Sequence, residues 1–481
     1  MRPIISHKKT IYASALLLIL LLSITYRFSL LENIATQDIT SVTEKDTVRY
    51  EKPALHFLEH GTFAINPTDI HTTTIHDQPG YALFIAANYY LFKQDKHQLL
   101  KVQIIVSALS ILILSLAAFL LWSYKASLSA ATIMALDPLQ TLYSHVMLTE
   151  TLQIFFVSLI VLFAVLMLKN SNRSKNPIWA LLFGLAIALA TYVHAVNYYL
   201  VLPIVIGLML FRKYLQWDMM KLVKIVVLIL LPVVILLSAW QIRNGQLTGV
   251  YQFSDNSSTT LLHYKASSVY MQKDNLSFEE AVARTRHEVG NDFMSLQDRY
   301  DAEKELAKEI IGNNLGAFLT HSLKGYIPLM FGVGLDSYAM HYDPKYYANL
   351  ASGGSLQTNP VIRYIENMTG KQFWYVALVG YGALFLLGCY ALALIGFTHA
   401  FKYSAKEYRV IHLLLLGLAA YYLVLATGHI DAYHRQRLTS MIVILLYASN
   451  GALLVLHHLY YLFRQRKEQS RSFRYKLNHR N

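Results

Sequence analysis

Long apolar runs recur along nearly the whole chain and constrain its fold more than any other feature. Hydrophobic residues make up 55% of the 481 residues and charged residues only 15%. With a mean hydropathy of +0.35, the composition lies outside the usual range of soluble globular domains. Because about 20 apolar residues suffice for a helix to cross a hydrocarbon core of roughly 30 Å, the sequence predicts an all-α polytopic membrane protein.

The runs predict about ten transmembrane helices. Their expected bounds are 11–31, 98–122, 127–141, 149–169, 177–193, 196–211, 222–241, 372–397, 409–427 and 438–463. Lys8 and Lys9 precede the first run, as they would in a secretory signal peptide. Since that run is long and ends without a small-residue cleavage site, we interpret it as a retained anchor.

Lys and Arg are distributed unequally among the predicted connections. If the N-terminus is cytoplasmic, the inside connections and the C-terminal tail are rich in Lys and Arg, whereas the short outside loops hold only Arg435 and Arg437. Both termini are then cytoplasmic. The net charge of +13 therefore indicates attraction to anionic headgroups rather than nucleic acid. Because the lone cysteine, Cys389, can form no internal disulfide, the loops suit a bacterial periplasm, and the protein a bacterial inner membrane.

Two long outside loops divide the chain into three parts. Residues 1–241 form an N-terminal transmembrane module with a first outside loop at 32–97, residues 242–371 form an extracytoplasmic loop domain, and residues 372–481 form the C-terminal helices and a basic tail. The chain has no P-loop, no glycine-rich dinucleotide motif and no Cys/His cluster, which argues against ATP-driven transport and a nucleotide-sugar site.

Local signals predict short helices in both loops. In the first loop, an apolar stripe around Leu55 indicates an amphipathic helix that ends at Gly61. The aromatic segment 81–92 that follows is too short to span a membrane. In the second loop, Ser277 and Glu280 have the spacing of a capping box.

Four segments and one arginine pair together resemble one enzyme family. Segments 46–64 and 79–84 resemble the first extracytoplasmic loop of bacterial GT-C glycosyltransferases, the integral-membrane relatives of protein mannosyltransferases and of the aminoarabinose transferase that modifies lipid A. Segments 137–152 and 241–254, and the Arg435-x-Arg437 pair, are similar to later elements of that family in the same order. The resemblance implies a GT-C helical bundle that transfers a sugar, with inversion, from a polyprenyl-phosphate carrier to an acceptor hydroxyl of a lipid, glycan or protein.

Within that resemblance, three carboxylates are candidate catalytic groups: Asp46, Asp77 and Glu150. Asp46 is the expected general base, since the transfer needs a group that takes the acceptor proton; the alternative is that Asp46 only caps a helix beginning near Thr47. Glu150 at the outer mouth of its span is expected to orient the acceptor, to bind a metal or to cap its helix.

Positive side chains and a metal complete the expected site. Arg435, Arg437 and the weaker candidate Arg243 are expected to bind the donor phosphate; an interfacial, snorkelling role is the alternative. His76 and Asp77 can supply two ligands to a divalent metal ion, or form a polar turn before Pro79. His194 is interpreted as a packing or interfacial residue.

A lipid-linked glycan transporter or flippase is the alternative function. Transporters tend to have repeated halves and charged or broken helices at mid-membrane. Here the predicted spans are nearly free of charge at their centres, and polar groups gather at the outer ends. The pattern therefore favours a membrane enzyme of the cell envelope.

Overall fold

The structure is a computed structural model. It describes residues 2–35, 46–64, 77–169, 176–254, 256–290, 292–334, 337–338, 373–427 and 433–478. All regular elements in these ranges are helical. The expected all-α class is confirmed.

The helices of the N-terminal half carry labels in chain order. They are α1 Arg2–Ala35, α2 Thr47–His60, α3 Pro79–Phe92, α4 Lys96–Leu121, α5 Tyr124–Ala135, α6 Pro138–Tyr143, α7 Glu150–Lys169, α8 Asn176–Val193, α9 Val201–Phe211 and α10 Met219–Thr248, with a 3₁₀ turn at Ala195–Asn197 before α9.

The helices of the C-terminal half continue the numbering. They are α11 Asn256–Thr260, a π-helical turn at Leu261–Ala266, α12 Ser267–Asp274, α13 Phe278–Val289, α14 Leu296–Asn313, α15 Leu315–Phe331, α16 Phe373–Tyr403, α17 Lys406–Ala426 and α18 Tyr433–Asn478.

Within the described residues, eight helices are long and apolar enough to cross a membrane: α1, α4, α7, α8, α10, α16, α17 and α18. The other two expected spans differ from continuous helices. The run 127–141 is divided into α5 and α6, because the Asp137 carboxylate accepts the backbone N–H groups of Leu139 and Gln140 and starts a new helix at Pro138. The run 196–211 is a 3₁₀ turn followed by the short α9.

These shorter helices still carry the chain across the bundle. We call the end of the bundle where α2 lies the loop end. The start of α4 is there, because Lys96 Nζ lies 2.9 Å from Glu51 Oε2, and so is the start of α7, because the Thr47 hydroxyl donates to Met147 O at 3.0 Å just before it. Since α4 runs away from the loop end, α5 and α6 must return to it. By the same reasoning, α9 crosses the bundle, since it lies between α8 and α10 in the chain.

Three of the local predictions are confirmed. α2 ends at Gly61, whose φ of 70° is left-handed. The 14-residue α3 is too short to span. Ser277 and Glu280 form a reciprocal capping box at the start of α13. Helices α11 to α15 enclose a small core of their own, formed by Leu262, Ala266, Val269, Ala307 and Ile310.

Candidate active site

A continuous chain of ion pairs lies at the loop end and joins Asp77, Arg49, Asp46, Arg435 and Glu150. Arg49 makes a two-point contact with Asp77, at 2.6 and 3.0 Å, and lies 3.5 Å from Asp46 Oδ1. The Arg435 Nη1 atom lies 3.0 Å from Asp46 Oδ2, and its Nε donates to Glu150 Oε1. The structure thus brings the three expected carboxylates together with one of the expected arginines.

Asp46 is the most open of the three carboxylates. Its side chain is 36% exposed, compared with 7% for Asp77 and 8% for Glu150. Asp46 immediately precedes α2, yet its side chain makes no capping hydrogen bond. The simple capping alternative for Asp46 is therefore wrong. Its carboxylate faces two guanidinium groups and is also open to solvent.

Arg435 is held between two distant parts of the chain. It lies in the first turn of α18, and Glu150 is the first residue of α7. The Glu150 carboxylate is nearly buried and fixes the Nε side of the guanidinium, while Nη1 reaches toward Asp46. Because its Nε and Nη1 atoms contact two different carboxylates, the planar guanidinium is held in one orientation.

Arg49 and Asp77 close the other side of the site. Burial alone would lower the pKa of Arg49, but the contact with Asp77, helped by Tyr50 and Asp46, outweighs it and raises that pKa. Beside them, Tyr50 is buried, and burial together with the charge of Asp77 raises its pKa. Tyr50 therefore stays protonated and is unsuited to act as a base.

Helix α3 locks the segment that carries Asp77 onto the bundle. A Cβ at Gly80 would lie 2.6 Å from the carbonyl oxygen of Tyr192, so only glycine allows α3 to approach the end of α8 this closely. The Gln78 amide also donates to the Ser254 hydroxyl at 3.1 Å. These contacts bring Asp77 to the ion-pair chain.

Arg437 and Arg243 lie apart from the ion-pair chain. Arg437 is fully buried, and its Nη1 and Nη2 donate to the carbonyl oxygens of Leu329 and Gly332 at 2.6 and 2.8 Å. It thereby caps the C-terminus of α15. Arg243 donates to Asn244 and packs over the Trp240 ring at 4.5 Å. For both, phosphate binding stays a prediction.

The carboxylates in this arrangement do not fit a divalent cation. Hard cations prefer several carboxylate oxygens around one point, but each of the three carboxylates faces a guanidinium. Across the described ranges, no three His, Cys, Asp or Glu side chains converge. A cation would have to displace Arg49 or Arg435. His76, the other expected ligand, lies outside the described residues.

Two residues near the site were not expected to take part. Arg49 follows no recognisable motif, although its position three residues after Asp46, on the same helical face, is a signal. His194 is accessible, yet dense surrounding protein and the charge of Arg435 lower its pKa. Its Nδ1 accepts the Val196 N–H at 3.3 Å, so the neutral ring carries its proton on Nε2.

Comparison with known proteins identifies the fold. The chain is similar to the oligosaccharyltransferase of Archaeoglobus fulgidus in its apo form, with a TM-score of 0.51 and 14% identity over 95% of this chain and 52% of that one. The chain therefore has the fold of this archaeal enzyme, which is a GT-C membrane glycosyltransferase. Residues 76–240 also match the family described as dolichyl-phosphate-mannose-protein mannosyltransferase. The expected GT-C resemblance is confirmed, and the chain is a multi-pass membrane protein.

Two further solved structures show how much of each chain the similarity covers. The archaeal enzyme in complex with an inhibitory peptide and a dolichol-phosphate matches with a TM-score of 0.51 and 14% identity, over 96% of this chain and 52% of that one. ArnT from Cupriavidus metallidurans in the apo state matches with a TM-score of 0.40 and 13% identity, over 93% of this chain and 78% of that one. The chain thus spans about half the length of the archaeal enzyme. No curated protein matches it significantly in sequence.

Proposed function

We propose that the protein transfers a sugar from a polyprenyl-phosphate carrier to an acceptor hydroxyl of a lipid, glycan or protein. The observation that carries this proposal is the ion-pair chain, in which the accessible Asp46 lies between the cations Arg49 and Arg435. A base beside fixed positive charge, at the end of a membrane bundle, matches what the displacement of a lipid-linked phosphate needs.

Asp46 takes the role of general base. The acceptor oxygen forms a bond to the anomeric carbon as the bond from that carbon to the phosphate oxygen breaks, and the acceptor proton passes to the Asp46 carboxylate. Attack from the face opposite the leaving phosphate inverts the configuration. Asp46 is the carboxylate most accessible to such an acceptor.

Arg435 takes the role of phosphate ligand. The departing phosphate gains negative charge, and an oriented guanidinium stabilises that charge more than it stabilises the bound donor. Glu150 is then a positioning residue that fixes Arg435, and Asp77 positions Arg49 in the same way. Donor binding at Arg435 would weaken its contact with Asp46 and free that carboxylate for proton transfer.

Several observations support a lipid-linked donor and a loop end that faces the periplasm. The archaeal enzyme with this fold has been solved with a dolichol-phosphate, and the matching family is described by a dolichyl-phosphate-linked donor. The excess of Lys and Arg in the inside connections supports cytoplasmic termini and a loop end that faces the periplasm of a bacterial inner membrane.

The test is sugar transfer by Asp46→Asn protein. Membranes from a strain that lacks the gene receive wild type or variant, together with a radiolabelled mixture of polyprenyl-phosphate sugars. We expect Asp46→Asn to lower transfer by about 10²- to 10⁴-fold, because a general base is lost. The matched control is Glu51→Gln on the same helix, since Glu51 pairs with Lys96 outside the ion-pair chain and should retain transfer.

The outcomes separate three interpretations. Loss with Asp46→Asn alone supports the enzyme and its base. Equal transfer by Asp46→Asn and wild type removes Asp46 as base and leaves the enzyme. Label that crosses the bilayer on its carrier, without a new glycosidic product, contradicts the enzyme and supports the transporter.

A further inference from the structure

Helix α15 presents an uninterrupted apolar stripe on its exposed side. The stripe consists of Leu315, Leu319, Leu323, Ile327 and Phe331, which are 50–67% exposed. Successive residues four apart are neighbours on a helix surface, so the five side chains form one continuous ridge that winds gradually round the exposed side of α15. The 17 residues of α15 extend over about 25 Å, most of the thickness of a hydrocarbon core.

Two polar side chains beside this stripe each make a hydrogen bond to the protein. The Thr320 hydroxyl donates to Gly316 O within the helix at 2.8 Å, and Lys324 Nζ donates to Gln272 of α12 at 2.9 Å. The neighbouring helix α14 differs, because its exposed face carries Asp301, Lys304, Glu305, Lys308 and Glu309. Two adjacent helices of one small domain thus present surfaces suited to different solvents.

The C-terminal end of α15 is fixed among membrane-spanning helices. The Tyr390 hydroxyl donates to Met330 O at 2.6 Å, and its ring packs edge-on against Phe331. Tyr390 lies in the middle of the span Ala377–Tyr403. Buried Arg437 of α18 binds the last carbonyl groups of α15. The stripe therefore ends at the depth of a span, against α16, whose Leu384 and Leu387 are also exposed.

We propose that the exposed face of α15 docks into the leaflet of the bilayer at the loop end. The stripe ends against α16, a membrane-spanning helix, and a row of five exposed apolar side chains fits the acyl chains of that leaflet. The helix thus holds α11–α15 against the membrane. Because Gly334 follows α15 and lies against His434, the C-terminal end of this membrane-contacting helix lies close to Arg435.

Site-specific fluorescence quenching tests the proposal without depending on sugar transfer. Cys389 is the only cysteine and is buried, so Cys389→Ala gives a cysteine-free background. Leu323→Cys in that background is labelled with bimane and placed in phosphatidylcholine–phosphatidylglycerol nanodiscs. The matched control is Glu305→Cys on α14. Quenching by nitroxide-labelled lipid should be about threefold or more stronger at position 323, and quenching by aqueous iodide should be stronger at position 305.

Each other result overturns the proposal. Equal iodide quenching at both positions shows that α15 faces water. Protection of position 323 from both quenchers shows that protein, either another segment of this chain or a second copy, covers the face. Ile327→Cys, one turn further along, repeats the measurement if the Leu323→Cys protein fails to fold, and it should give the same lipid-quenched result.

Discussion

At the residue scale, Arg49 and Asp77 hold the first loop in one arrangement. Their contact has two points, and Asp77 is 7% exposed whereas Arg49 is 32% exposed. Removing Arg49 deprives a nearly buried carboxylate of that cation, which costs more than the pair itself stabilises. We expect Arg49→Gln to lower thermal stability in detergent more in the wild-type background than with Asp77→Asn present, with a coupling of about 1–2 kcal/mol.

The control for this cycle is the pair of Glu51 and Lys96. It joins α2 to α4 at 2.9 Å away from the ion-pair chain. Its own cycle should affect stability without changing sugar transfer, whereas Arg49→Gln should reduce both. If the Arg49 and Asp77 substitutions are additive, the two side chains do not support one another and the positioning role fails.

The sequence could indicate which residues bear charge at the loop end, but not their pairing. Asp46, Glu150 and Arg435 were each singled out by position, while their contact joins residues 285 and 389 positions apart, which no local pattern encodes. Arg435 and Arg437, two residues apart, point to different sides of α18 as helical spacing requires. Helical spacing thus separates the two arginines, but it does not indicate that Arg437 caps α15.

At the element scale, small residues set how closely α16 and α18 approach. A Cβ at Gly451 would lie 1.9 Å from Leu392 O, and one at Gly396 would lie 2.0 Å from Tyr447 O. Close backbone approach at small residues is how helices associate in membranes. We expect Gly451→Ala to destabilise the protein by about 1–3 kcal/mol, because the helices must separate, measured as a lower Tm by intrinsic tryptophan fluorescence.

Gly388→Ala is the matched control for Gly451→Ala. Gly388 also lies in α16, but nothing lies within 4 Å of a Cβ there. Alanine should be neutral at that site, or stabilising by up to about 1 kcal/mol, since it favours the helix. Equal losses at both sites would mean that the close contact of α16 and α18 does not limit stability.

The span predictions show where hydropathy succeeds and where it does not. Long runs such as 98–122 and 149–169 correspond to single helices because lipid leaves the backbone no other way to satisfy its hydrogen bonds. The run 127–141 does not, because Asp137 and Pro138 begin a second helix inside it. A cap within an apolar run is a local signal that a hydropathy average conceals.

At the scale of the whole molecule, the candidate site lies where three distant parts of the chain meet. Asp46 follows α1, Glu150 begins α7 and Arg435 begins α18, so a ligand bound there would join three distant parts of the chain. A ligand that binds only the folded state stabilises it by RT ln(1 + [L]/Kd), about 2.7 kcal/mol at 100 times Kd. We therefore expect polyprenyl phosphate, in detergent, to raise the Tm of the wild-type protein.

The same experiment identifies the group that binds the phosphate. Arg435→Gln should abolish the rise in Tm, because the phosphate loses its charged partner, while Lys96→Gln should retain it, because Lys96 pairs with Glu51 outside the site. Polyprenol without phosphate reports the contribution of the lipid chain alone. A rise as large with polyprenol, or with Arg435→Gln, would show that the chain binds the carrier by its tail and that Arg435 is not the phosphate ligand.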